Sequence, residues 1–215
     1  MVNSLLREAM DEAQLPRGRD LASAGGAERR EPLTVVFEPG GDEAALSAAD
    51  VVLIEFPLAD DGGPTDLEPL REACAAVCRH ARRGQTIVLT AAAYVGATRE
   101  LLLAPLRESG FEPGYDICVA CCPNPIESDD PARPPHSLPR ILGAGPRCAE
   151  RASVAVSDLA PSLHLVSSPE AAEMAKLYGD LFRALNTMLA DELGEVAGGL
   201  GLDTAEILEA VAVAS

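Results

Sequence analysis

The sequence predicts an α/β fold, a mostly parallel sheet covered by helices and followed by a long-helix module. Three observations predict it. Short apolar runs alternate with helical patterns from residue 33 to residue 166, the signature of strands joined by helical crossovers. The 215 residues are 47% hydrophobic, enough to bury a core in one domain or one domain plus an appendage. After Ser168 the short alternation gives way to one long helical periodicity.

Taken in order, Ser4 to Gln14 form an acidic helix candidate, and the polar stretch Pro16 to Pro32 reads as a loop. The strand candidates are Leu33–Phe37, Val51–Phe56, Thr86–Thr90, Asp116–Ala120, Arg140–Gly143 and Leu163–Val166. Helix candidates lie near 42–49, 66–82, 97–109 and 147–157. Cys74 and Cys78 stand four apart, so they share a helix face and serve packing. Pro123 to Pro139 holds six prolines and is a long loop at the C-terminal end of a strand, the edge where open α/β sheets bind ligands. Ser168-Pro169-Glu170 opens a helix, with a capping serine, a proline in the first turn and an acidic residue near the positive dipole end. Met174, Leu177, Leu181, Leu185, Met188 and Leu189 continue it at three- and four-residue spacing until Gly198-Gly199 stops it. A last helix opens at Asp203-Thr204. The division is 1–32 (helix and loop), 33–167 (incomplete α/β domain) and 168–215 (helical module).

A net charge of −17, from 34 acidic and 17 basic residues, repels phosphate backbones and anionic membranes, so nucleic-acid and membrane partners are excluded from the expectation. No stretch approaches the ~18 apolar residues of a membrane span, and the expected compartment is the cytoplasm. Six cysteines (Cys74, Cys78, Cys118, Cys121, Cys122, Cys148) match neither a paired CxxC zinc site nor a small secreted framework, and His80, His136 and His164 are scattered. No metal is expected. Lys176 is the only lysine beside 16 arginines.

Several stretches are recognisable. Ala49-Asp50-Val51-Val52-Leu53-Ile54, the Pro57 turn with Pro64-Thr65-Asp66-Leu67, Arg83-Gly84-Gln85-Thr86-Ile87-Val88-Leu89, and above all Ser167-Ser168-Pro169-Glu170-Ala171-Ala172-Glu173-Met174-Ala175-Lys176-Leu177 with Leu181-Phe182-Arg183-Ala184-Leu185-Asn186 carry the pattern. Over about residues 48–213 the chain resembles the UDP-glucose/GDP-mannose (nucleotide-sugar) 6-dehydrogenase family. The resemblance implies a Rossmann-like sheet, here truncated, and dimerisation through the long helix.

The departures from the family pattern are as informative. The family opens with a strand and a GxGxxG turn that holds NAD at a helix N-terminus; Gly25-Gly26 lies in a polar loop, and the expectation is a chain that starts after that first unit. The family's cysteine nucleophile and its C-terminal nucleotide-sugar domain belong beyond Ser215. Where the family reads Glu-Ser-Thr-Thr-Tyr-Pro-Gly, this chain has Thr90-Ala91-Ala92-Ala93-Tyr94-Val95-Gly96; for Ser-Pro-Glu-Arg it has Cys122-Pro123-Asn124-Pro125. Leu58 replaces the nucleotide-contacting threonine, and Asp180 replaces the asparagine that follows the active-site lysine, Lys176.

Two oxidations of an alcohol need a hydride acceptor, a thiolate and a general base. The sequence supplies none of them, so no cofactor is expected. The candidate catalytic residues are Lys176, Asn124, Tyr94 and Asp180, and the candidate substrate contacts are Leu58, Ala92, Ala93, Cys121 and Cys122. If they converge as their counterparts do, the cleft is mostly apolar and suits an apolar small molecule. The expectation is a cofactor-independent ring-closing enzyme of bacterial natural-product biosynthesis. Two alternatives stand beside it, a non-catalytic dimeric scaffold docking to a pathway enzyme and a split dehydrogenase completed by another chain.

Overall fold

The computed structural model describes residues 32–56, 66–125 and 137–214. Six strands, β1 (Thr34–Phe37), β2 (Val51–Ile54), β3 (Thr86–Leu89), β4 (Cys118–Cys121), β5 (Arg140–Ala144) and β6 (Leu163–Val166), form one sheet in chain order. β1 to β4 run parallel, β5 and β6 run parallel to each other, and β4 meets β5 antiparallel. Every strand lies on its sequence expectation. β4 starts at Cys118 rather than Asp116 because the Asp116 carboxylate is used in the preceding turn, where it accepts from Glu112 N at 3.1 Å and pairs with Arg83.

The helices are α1 (Glu68–Arg79), α2 (Ala104–Glu108), α3 (Ala149–Ala155), α4 (Pro169–Gly199) and α5 (Thr204–Ala214). Two expected helices are modified. The stretch near 42–49 condenses to a three-residue 3-10 turn, Glu43–Ala45, capped by Asp42 Oδ1 at 2.9 Å from Ala44 N, just after the chain reverses at Gly40 with φ +77°. The stretch near 97–109 opens with a π-helical turn, Arg99–Leu103, before α2. The N-terminal helix candidate and loop, residues 1–31, lie outside the described residues, as does Leu58.

Strand alternation sorts the core into two layers. Val52, Ile54, Ile87 and Leu89 face α1 and the π turn with α2, meeting Leu70, Val77, Leu102 and Leu106. Val51, Leu53, Val88, Cys118 and Ala120 face α3, meeting Cys148, Ala152 and Val156. Every residue of β2, β3 and β4 is therefore buried, which explains why these strands read as unbroken apolar runs. Each large aliphatic side chain so buried contributes roughly 1.5–3 kcal/mol.

The described residues fall into two compact units, 32–185 and 186–214, with the boundary inside α4. The first half of α4 is fixed to the sheet by contact with β5. A Cβ on Gly143 would lie 2.3 Å from Ser168 O, 2.7 Å from Ala172 Cβ and 2.9 Å from Pro169 Cα, so only glycine lets the helix approach this closely. Glu173, fully buried on the next turn, reaches the segment that follows β3.

Candidate functional site

β4 leaves the sheet through Cys122-Pro123-Asn124-Pro125. Cys122 N donates to Leu89 O at 2.8 Å and Asn124 N donates to Thr90 O at 3.0 Å, so this exit continues alongside β3. The prolines that flank Asn124 lack N–H groups and restrict the backbone on both sides of it. Asn124 Oδ1 accepts from Arg140 Nη1 at 3.1 Å, which ties the exit of β4 to the entry of β5. The antiparallel step between these strands is what brings the two segments together at one sheet edge.

Pro123, Asn124, Pro125, Leu138, Pro139, Ile141 and, from α4, Lys176 line a cavity of about 250 Å³. Lys176 Nζ donates to Asp180 Oδ1 at 2.7 Å across one helical turn, with the two side chains 16% and 36% exposed.

The other candidate residues sit elsewhere. Asp180 is not among the residues that line the cavity and meets it only through its bond with Lys176. Tyr94 does not line the cavity; it packs on the α1 side of the sheet, where burial, and then Glu100, raises its hydroxyl pKa, opposed by Arg71. Ala92 is buried and Ala93 packs against the same core layer. Cys121 and Cys122 are each 0% exposed because they continue a strand covered on both faces, so neither presents a surface to a substrate. Burial is also the main cause that pushes both thiols up, helped at Cys121 by the Glu173 carboxylate. Leu138 and Pro139 fall within the proline-rich loop and Arg140 and Ile141 within a strand candidate of the sequence, but none of the four was named there as a site residue.

Among the described residues no three of His, Cys, Asp and Glu gather to hold a metal ion, and no helix is long and apolar enough to cross a membrane. A dinucleotide would need a glycine turn opening a helix beside the sheet. The turn after β1 offers Gly40 and Gly41, yet a Cβ on Gly41 would meet Glu38 O at 3.0 Å and the Phe37 ring at 3.1 Å, so that glycine is closed by its own strand. The turn leads into three 3-10 residues rather than a helix, and it carries Glu38, Asp42 and Glu43, which repel a pyrophosphate. The turn after β1 therefore does not fit the pyrophosphate of a dinucleotide.

No family model matches the chain. Curated relatives and solved structures do. Over 202 residues the chain is 26% identical to the UDP-N-acetyl-D-glucosamine 6-dehydrogenase of Pseudomonas aeruginosa, covering 92% of this chain and 48% of the relative. It is 29% identical over 169 residues to the NDP-N-acetyl-D-galactosaminuronic acid dehydrogenase of Ralstonia solanacearum, covering 74% and 40%. In fold, the ternary-complex crystal structure of GDP-mannose dehydrogenase from Pseudomonas aeruginosa superposes with a TM-score of 0.67 at 18% identity, over 79% of this chain and 40% of that one. The chain thus spans less than half the length of the relatives it matches. Over that stretch its sequence and its mostly parallel α/β sheet make it a relative of the nucleotide-sugar dehydrogenases.

Proposed function

We propose that this chain is a non-redox relative of the nucleotide-sugar dehydrogenases, in which the cavity at the β4–β5 edge binds a largely apolar small molecule and promotes its ring closure. The composition of the cavity carries the reading. Pro123, Pro125, Leu138, Pro139 and Ile141 present apolar surface, and Asn124 and Lys176 are the polar groups among them. Such a lining suits a hydrocarbon-rich ligand with one or two carbonyl oxygens better than a sugar nucleotide.

The Lys176 ammonium donates a hydrogen bond to a ligand carbonyl oxygen, and an atom of the same molecule adds to the carbonyl carbon. The carbonyl electron pair moves to oxygen, which takes a proton; the attacking atom loses one, so the reaction is redox-neutral and needs no added reactant. Holding the two ends in contact contributes at most ~7–11 kcal/mol in ideal cases. A bacterial natural-product pathway is the proposed setting.

The test is native mass spectrometry of the protein after incubation with a small-molecule extract of its source. Retention of an apolar metabolite by the parent protein, loss of that species with Asn124→Ala, and loss of its conversion with Lys176→Met are expected. Absence of any retained small molecule overturns the proposal.

A second reading rests on a separate observation. Leu181, Leu185, Met188 and Leu189 are more than half exposed along one long helix, at 56%, 54%, 63% and 57%. A second copy of the chain is the proposed cover for this face, making the protein a homodimer that serves as a scaffold.

A further inference from the structure

Arg140 opens β5 with its backbone fixed to the neighbouring strand: its N–H donates to Ser162 O at 3.1 Å, and it stands opposite Leu163 of β6. Its side chain reaches the exit of β4, where Nη1 donates to Asn124 Oδ1 at 3.1 Å. A guanidinium only donates, so the oxygen of the Asn124 amide is the atom that faces it. The N–H groups of that amide are left for another acceptor, and no described residue takes them.

The guanidinium is otherwise poorly satisfied. Its Nε is buried without a hydrogen-bond partner, and none of the carboxylates among the described residues pairs with it. The Cys122 thiol is kept neutral by burial and supplies no counter-charge. A half-buried positive group in this state is costly, and an anion held nearby relieves the cost.

This unbalanced charge stands at the edge of the cavity. Arg140 does not line it, but Pro139 and Ile141 on either side of Arg140 do, as does the Asn124 that it holds. The other cation at the cavity, Lys176, is balanced by Asp180 at 2.7 Å. In a chain of net charge −17, the described residues thus leave one uncompensated positive charge beside an apolar cavity. The polar groups that line the cavity offer hydrogens, from the Asn124 amide and the Lys176 ammonium, so the ligand supplies acceptor oxygens.

We propose that the ligand of this cavity is a hydrocarbon-rich keto acid, its ketone oxygen on Lys176 and its carboxylate on the Asn124 amide that Arg140 holds in place. The inference rests on the ring-closing reading given above and names its substrate class. Arg140 is a positioning residue: it presents the Asn124 N–H groups rather than the amide oxygen, and its charge favours the carboxylate that they bind. The apolar stem lies along the prolines, Leu138 and Ile141.

The experiment measures binding of 7-oxooctanoate and of its neutral methyl ester to the full chain by saturation-transfer NMR. The two probes share the ketone and the stem and differ in the carboxylate. The parent protein should bind the acid about tenfold more tightly than the ester, a margin that shrinks in high salt. Arg140→Met should bring the ratio near one, and Arg140→Lys should restore part of it. Asn124→Asp matches the asparagine in size and keeps an acceptor for Arg140, but it puts a carboxylate where the N–H donors stood, so it should favour the ester. An ester bound as tightly as the acid by the parent protein, or an unchanged acid preference in Asn124→Asp, overturns the keto-acid inference and leaves the apolar-ligand reading standing. If neither probe binds, the inference falls, and retention of a metabolite in native mass spectrometry judges the underlying reading separately.

Discussion

Glu173 holds Thr98 by two bonds at once: its Oε1 accepts from Thr98 N at 2.8 Å and from Thr98 Oγ1 at 2.6 Å. Its other oxygen accepts from Gly96 N at 2.6 Å. A carboxylate from α4 thereby satisfies the free N–H groups at the start of the helical segment that follows β3, where the helix dipole also favours a negative charge. Glu173→Ala leaves three buried donors without an acceptor and should cost roughly 2–5 kcal/mol. Glu173→Gln, which keeps one acceptor oxygen, should cost about half as much. Urea denaturation measures both, and an alanine variant as stable as the parent would show that water replaces the carboxylate.

Gly143 and Gly198 should respond to alanine with opposite signs. At Gly143 the added methyl collides with the backbone of Ser168 and Pro169, and the expected loss is about 1–3 kcal/mol with displacement of α4 from the sheet. At Gly198, inside α4, nothing lies within 4 Å of the position, and Gly198→Ala should gain about 0.5–1 kcal/mol. Denaturation midpoints of the two variants, taken under one condition, decide the matter.

Alkali should unfold this protein through its core thiols. Burial pushes Cys74 from an ordinary value of 9.0 to about 12 and Cys78 to about 11. The folded chain keeps these protons longer than the unfolded chain does, so the contribution of these two thiols to stability is constant below pH 9 and falls as the pH rises from 9 towards 12. Cys74→Ala should reduce that slope while leaving the acid side unchanged. An identical alkaline slope in the variant would mean that other groups dominate the transition.

The proposed dimer is tested by charge. Leu185→Glu combined with Leu189→Glu, both on the exposed apolar face of α4, should convert a dimer to a monomer in light scattering without changing the circular-dichroism spectrum. A parent protein that already runs as a monomer removes that reading.

The sequence placed all six strands, most plainly β2, β3 and β4, which are buried on both faces and read as plain apolar runs, and Ser168-Pro169 marked the long helix through capping chemistry. The helices between the strands were less legible. The stretch near 42–49 is apolar enough for a helix, yet the reversal at Gly40 shortens it to one 3-10 turn, and the stretch near 97–109 gives no hint of its π turn. At the cavity, Asn124 and Lys176 were named in advance through their places in the family pattern. Arg140 was not, because its approach to Asn124 depends on the antiparallel step from β4 to β5, and strand direction leaves no mark in residue spacing.

The sheet order carries a last consequence, for synthesis rather than for chemistry. Because β1 to β6 lie side by side in chain order, each strand docks on the one made immediately before it. Among the described strands none must wait for a later one to be inserted at its flank, and each new pairing closes a loop of modest length at small entropic cost. The sheet can therefore be assembled one crossover at a time as the chain leaves the ribosome, with α4 following the strands to lock against Gly143.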